Sequence, residues 1–339
     1  MTALPRRGFL TLAGALALGV TGCQLSDPRI TGGPTAPPPR PTPTPVPDIP
    51  GLEAALRHES DLAALGKQAL AAADRLQLGA GQRAALGWMS RDHGVHLTAL
   101  LAPHPAERPT SPPTPGPRFT PRPEPTSSAT LAAAARDGAI RDLTGRLDAA
   151  LVDYRASARG SRGQMALLWG SLAAYARAAQ VALVRDAPRP DPLVVPVREL
   201  EPWSDAEAEQ QVLRQMHALV YGYQAAIPWF RRPESQTAYD LLVHWRDLRD
   251  RVTRLLRDRG QTAPAAEAAY ALPVQPTDRN TAAELLWRME AAFIPFAGAW
   301  LAAATEDESR RMAAEALEEA ARLCLEWGGP MTTWPGWPG

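Results

Sequence analysis

His93 and His96 stand three residues apart, and Glu59 is a carboxylate that a neighbouring helix could turn towards them. Residues three apart share one face of a helix, so both imidazoles can reach a single ion or a single carboxylate. Two imidazoles with a carboxylate form a donor set suited to Zn²⁺ or Fe²⁺. Core histidines satisfied by their neighbours use the same residue types, so the spacing leaves both readings open. A second group of candidates lies further along: His217, Tyr221, His244 and Glu290. His244 sits between Leu241 and Leu248 at helical spacing, and Glu290 between Leu286 and Phe293. A carboxylate in such surroundings must be paired or neutral. Pro295 frees the carbonyl of Ala291 and is expected to kink the helix near Glu290. The group reads either as a degenerate metal or ligand site, or as a buried His–Glu network that fixes bundle register. The network is the favoured reading, because buried ion networks also occur without function.

Di-iron carboxylate bundles draw two Glu-x-x-His pairs from their helices. None occurs here: Arg214 stands three before His217, and Leu241 three before His244. A full di-iron oxidase centre is therefore not expected. Gly-rich phosphate loops and the G-x-S-x-G nucleophile elbow are also missing from the sequence. The 36 basic and 36 acidic residues cancel, which argues against a dedicated nucleic-acid binder. The acidic run Glu315, Glu318, Glu319 reads as a solvated helix face. The basic run from Arg246 to Arg259 alternates with aspartates and reads as i,i+4 pairs.

The elements that must position these side chains begin after an export signal. Arg6 and Arg7 precede an apolar run from Phe9 to Val20, which ends at Thr21-Gly22-Cys23. The layout resembles a bacterial lipoprotein signal, with Cys23 as the lipidated residue. The Arg-Arg pair also resembles a twin-arginine signal, which exports folded proteins. The apolar run is too short to span a bilayer, so the expected membrane attachment is the lipid on Cys23. The protein is then expected on the outer face of the cytoplasmic membrane, or in the periplasm or outer membrane of a two-membrane cell. Cys324 is left as a lone thiol, read as a buried apolar cysteine.

Residues 23–50 form a Pro-rich spacer, and a second Pro-rich tract, 103–125, interrupts the first half as a long loop. Nearly everything else reads as helix, with apolar residues recurring at three and four. Helices are expected near 51–76, 80–102, 128–158 and 161–185. A linker over 186–203 follows, and then four more helices. Ser204 to Glu207 is a capping box, Pro228 ends that helix, and another runs from Pro233 to Arg259. Thr281 to Glu284 and Thr305 to Glu308 open the last two, and Gly328-Gly329 closes the chain of helices. The expected fold is all-α: two tandem four-helix bundles over 51–185 and 204–339, with no strand. Trp327, Trp334 and Trp337 are expected to fold back onto the last bundle.

From about Asp205 onward the residues resemble a family. His217-Ala-Leu-Val-Tyr221-Gly222-Tyr223, His244, Ala269-Tyr270-Ala-Leu-Pro273, Glu290 and Trp334-Pro335-Gly336 are similar to the ferritin-like domain of unknown function found in exported actinobacterial lipoproteins. The resemblance implies a ferritin-like bundle and an envelope location, and no established activity. It also implies a Glu directly before the first His, where this chain has Met216. The expectation is a non-catalytic, lipid-anchored binding or scaffold module with a protein or small-molecule partner and no nucleic acid. The alternative is a metal-binding or metal-dependent redox protein holding one Fe or Zn ion.

Overall fold

Eight helices form where the apolar residues recur at helical spacing, as a computed structural model describes for residues 49–101, 129–187, 189–197, 200 and 203–338. They are α1 (Leu52–Ala71), α2 (Ala80–Leu100), α3 (Ala129–Gly160), α4 (Gly163–Val184), α5 (Asp205–Ala226), α6 (Glu234–Asp258), α7 (Arg279–Ala303) and α8 (Asp307–Glu326). Among the described residues there is no strand; Leu193 and Thr332 make one isolated parallel bridge. The signal over 1–22 with Arg6 and Arg7, Cys23, nearly all of the 23–50 spacer and the 103–125 tract lie outside the described residues.

Local signals in the sequence set several boundaries. Ser204 accepts from the amide of Glu207, and the Glu207 carboxylate accepts from the amide of Ser204, closing the capping box of α5. α8 ends in a Schellman turn: Gly328 is left-handed at φ 95°, its amide reaches Leu325, and that of Gly329 reaches Cys324 at 2.8 Å. Two expected starts move. Asp278 caps α7 by accepting from the amide of Thr281, so Thr281 is the third helical residue rather than the cap. α8 begins at Asp307, because Thr305 is taken up by the carboxylate of Asp205 at the start of α5. α2 has no side-chain cap of its own beyond Gln82. Asp186, from the segment after α4, accepts from the amides of Gly81 and Gln82 at 2.8 and 3.2 Å. The segment following α4 is thus an extended strap, anchored at one end on the N-terminus of α2 and at Leu193 on the C-terminal tail.

α4 is the axis of the protein. It packs on α3 and α2 on one side and on α7 and α8 on the other, and it is buried nearly all round. That position explains its composition: it is the one described helix long and apolar enough to cross a membrane, and its apolar sides face protein. Gly170 lets α4 approach α7 closely, since a Cβ there would lie 2.3 Å from Leu301. The two halves therefore share a core, and Val46–Gly339 is one compact unit. Arg155 of α3 holds Glu318 of α8 through both Nε and Nη2, at 2.5 to 3.0 Å. Glu318 is consequently buried rather than part of a solvated acidic face, because that side of α8 covers α3 and α4.

Candidate functional site

Glu59 on α1 faces His93 and His96 on α2, and all three side chains are buried. Two carboxylate oxygens serve three donors. Oε2 lies 2.6 Å from Nδ1 of His93 and 2.9 Å from Nδ1 of His96. Oε1 accepts from the Tyr154 hydroxyl of α3 at 2.6 Å. The far nitrogen of His96, Nε2, lies 2.7 Å from the carbonyl oxygen of Thr333, in the C-terminal tail. A carbonyl and a carboxylate can only accept, so with Glu59 ionised both ring nitrogens of His96 carry hydrogen and the ring is an imidazolium. Nε2 of His93 is buried without a partner, which makes it the bare nitrogen of a neutral ring. The cluster is then one anion, one cation and two neutral donors, with no net charge left in the core.

The electrostatics keep Glu59 an anion and favour the charged ring of His96. Burial pushes the Glu59 carboxyl up, but the two imidazoles outweigh it and hold the group below the usual carboxylate range. Burial pulls His96 down, and the Glu59 carboxylate outweighs that and raises it. Burial, with carboxylates nearby, raises the Tyr154 and Tyr175 phenols well above their ordinary value, so both stay protonated donors. Tyr175 of α4 donates to Asp92 at 3.1 Å, and Arg91 holds the other oxygen of Asp92. The Tyr175 ring stands edge-on to both imidazoles. Trp334 covers His96 with ring centroids 4.4 Å apart. The three donor atoms of Glu59, His93 and His96 lie within 4.8 Å of one another, a group that could hold a metal ion.

The C-terminal candidates do not converge. Glu290 of α7 is fully buried, but its partners are the Tyr223 hydroxyl at 2.6 Å and the Trp245 indole at 3.0 Å, both on Oε1. Trp327 in turn donates to Tyr223 at 3.3 Å. Oε2 of Glu290 is buried without a partner. Burial raises the Glu290 carboxyl well above its ordinary value, and the two hydrogen bonds offset this only in part. Burial therefore favours the protonated form of this acid. His217 is half-buried and bonds the carbonyl of Pro264 at 3.2 Å; burial lowers its pKa. His244 is exposed beside Trp245, and Tyr221 stands against Tyr270. Neither a His217–His244–Glu290 metal site nor a His–Glu network of those residues is formed. The reason is helical phase: Met216 and Trp245 take the inward positions, and the adjacent residue turns about 100° away.

Another interior carboxylate carries no motif. Glu209 of α5 is buried and accepts from Arg259 at 2.7 and 2.9 Å and from Ser309 at 2.6 Å, while Trp300 donates to Ser309. Arg259 also reaches Glu306, so the last basic residue of the Arg246–Arg259 run links three helices rather than pairing along its own. Tyr154 and Tyr175 were likewise unmarked. Their signal was an aromatic with a polar tip on an apolar stripe, which needs a partner when buried.

These arrangements define an all-helical bundle protein with paired polar groups in its interior. Residues 208–339 match a family model described as a domain of unknown function, DUF4439. A conserved hypothetical protein, Rv2844, from Mycobacterium tuberculosis is 33% identical in sequence. The match covers 36% of this chain and 93% of that one, with a TM-score of 0.35. The C-terminal part of the chain, residues 208–339, thus carries a DUF4439 domain. No curated protein matches it.

Proposed function

We propose that the protein is a lipid-anchored, extracytoplasmic helical module that binds or holds a protein or small-molecule partner rather than turning over a substrate. The reading of the N-terminal residues as a lipoprotein and twin-arginine signal supplies the anchor, Cys23, and the export route, Arg6 and Arg7. The observation that carries the non-catalytic part is the state of Glu290. In this domain the buried carboxylate of Glu290 is held by a phenol and an indole, donors that fix packing, while His217 and His244 turn away from it. A rigid bundle on a Pro-rich spacer suits presentation of a surface at a distance from a membrane.

The test is fractionation of cells expressing the full chain. Wild type should sit in the membrane fraction and Cys23→Ser in the soluble extracytoplasmic fraction, because one lipid-bearing residue is the anchor. Arg6→Lys with Arg7→Lys should leave the chain in the cytoplasm. Cys23→Ser retained in the membrane would contradict the anchor, and unimpeded export of the double variant would contradict the route.

A further inference from the structure

We propose that Glu59, His93 and His96 form a structural binding site for one first-row divalent cation of the Zn²⁺ or Fe²⁺ type, closed over by the C-terminal tail. The donor set is the first argument: two imidazoles and a carboxylate, contributed by α1 and α2, with donor atoms within 4.8 Å of one another. Mixed nitrogen and oxygen donors select a borderline transition metal over Mg²⁺ or Ca²⁺.

The surrounding shell is the second argument. A metal-bound histidine characteristically donates its other ring N–H to a carbonyl or carboxylate, which fixes the ring and its tautomer. His96 does this towards the Thr333 carbonyl at 2.7 Å. The carboxylate oxygen turned away from the imidazoles, Oε1, is held by Tyr154 at 2.6 Å. Nδ1 of His96 and Oε2 of Glu59 are thus oriented by groups that do not themselves need to bind the ion, and Nδ1 of His93 faces the same oxygen.

The third argument is the fit. Donors on one Zn²⁺ stand about 3.3 Å apart for bonds of about 2.0–2.1 Å. The two nitrogens lie 2.6 and 2.9 Å from Oε2 and within 4.8 Å of each other, so Glu59 must draw back by about 0.4–0.7 Å while both rings turn towards the ion. When the ion enters, it takes the place of hydrogen at both Nδ1 atoms. His96 gives up one proton and stays neutral, and His93 carries its own on Nε2. The site is sealed by Trp334 and by the bond to Thr333, so the ion has a structural role and links the N-terminal half to the tail of the family domain. The three ligands lie outside residues 208–339, and their loss of the ion would leave the membrane-anchor test unaffected.

The test uses the full chain, stripped with a chelator and then equilibrated separately with Zn²⁺ and, without oxygen, with Fe²⁺. About one ion per chain should remain after desalting, with a raised Tm. His93→Asn and Glu59→Gln should each weaken affinity by about 100-fold or more, while His217→Asn and His244→Asn keep it. Because the first two variants disturb the core, wild type provides an independent arm. Wild-type protein that retains no ion and shows an unchanged Tm overturns the proposal. So does a retained ion that is lost in His217→Asn or His244→Asn.

Discussion

Replacing Glu59 by Ala should remove a large fraction of the stability of the whole chain. The substitution takes away the acceptor for three buried donors, Nδ1 of His93, Nδ1 of His96 and the Tyr154 hydroxyl. It also strands the imidazolium of His96 in the core. Removing one partner of a buried charged pair costs about 3–5 kcal/mol. Tyr154→Phe deletes one donor and leaves Glu59 with two, so it should lose about 1.5–3 kcal/mol, the range for a hydrogen bond to a charged group. Small domains have about 5–15 kcal/mol in total, so the first change should show as a large shift in the denaturation midpoint. The assay is guanidinium unfolding followed by circular dichroism, with chelator present so that no ion contributes. The double variant Glu59→Ala, Tyr154→Phe should lose clearly less than the sum of the two, because the residues share one bond. A Glu59→Ala loss below about 1 kcal/mol, the scale of an exposed ion pair, would refute the reasoning.

Two further changes test other parts of the interior. Glu290 has a raised pKa when folded, so its contribution to stability is complete below the ordinary carboxylate range and fades as pH rises towards the folded value. Glu290→Gln should therefore match wild type near pH 4 and be the more stable protein at pH 8, measured as Tm at both pH values. A variant less stable than wild type at pH 8 would contradict this. Gly298→Ala should lift the tail, since its Cβ would lie 2.2 Å from the Gly336 carbonyl oxygen and 2.4 Å from Gly336 Cα, both backbone. Overpacking of this kind costs about 1–3 kcal/mol. Limited proteolysis should then cut the tail between Met331 and Trp337; a tail as resistant as wild type would count against the contact.

The helices were legible because their signals are local. The Ser204–Glu207 capping box, the Gly328-Gly329 stop and the apolar stripes all act within a few residues of one another. The spacing His93-x-x-His96 likewise placed two imidazoles on one face, and Glu59 shared the apolar face of α1 with Ala55 and Leu62. What was not legible depends on groups far apart in the chain. The Thr333 carbonyl has no side-chain signature, and Asp186 caps a helix that begins more than a hundred residues earlier. The misplaced residues, His217 and His244, sit next to Met216 and Trp245 on their helices. One residue of phase separates a core ligand from a rim position, and residue type alone does not set the phase. The close packing of α4 on α7 and α8 rests on small residues such as Gly170, whose use appears only once the partner helix is in place.

Glu59 is an ionised acceptor shared by His93, His96 and Tyr154 and closed off by the tail. Long-range proton–nitrogen NMR of the imidazole rings, on chelator-treated protein near pH 7, tests it most directly. His96 should show hydrogen on both ring nitrogens, slow to exchange with solvent, and His93 hydrogen on Nδ1 alone. Rapidly exchanging rings, or a His96 with one bare nitrogen, would contradict the account.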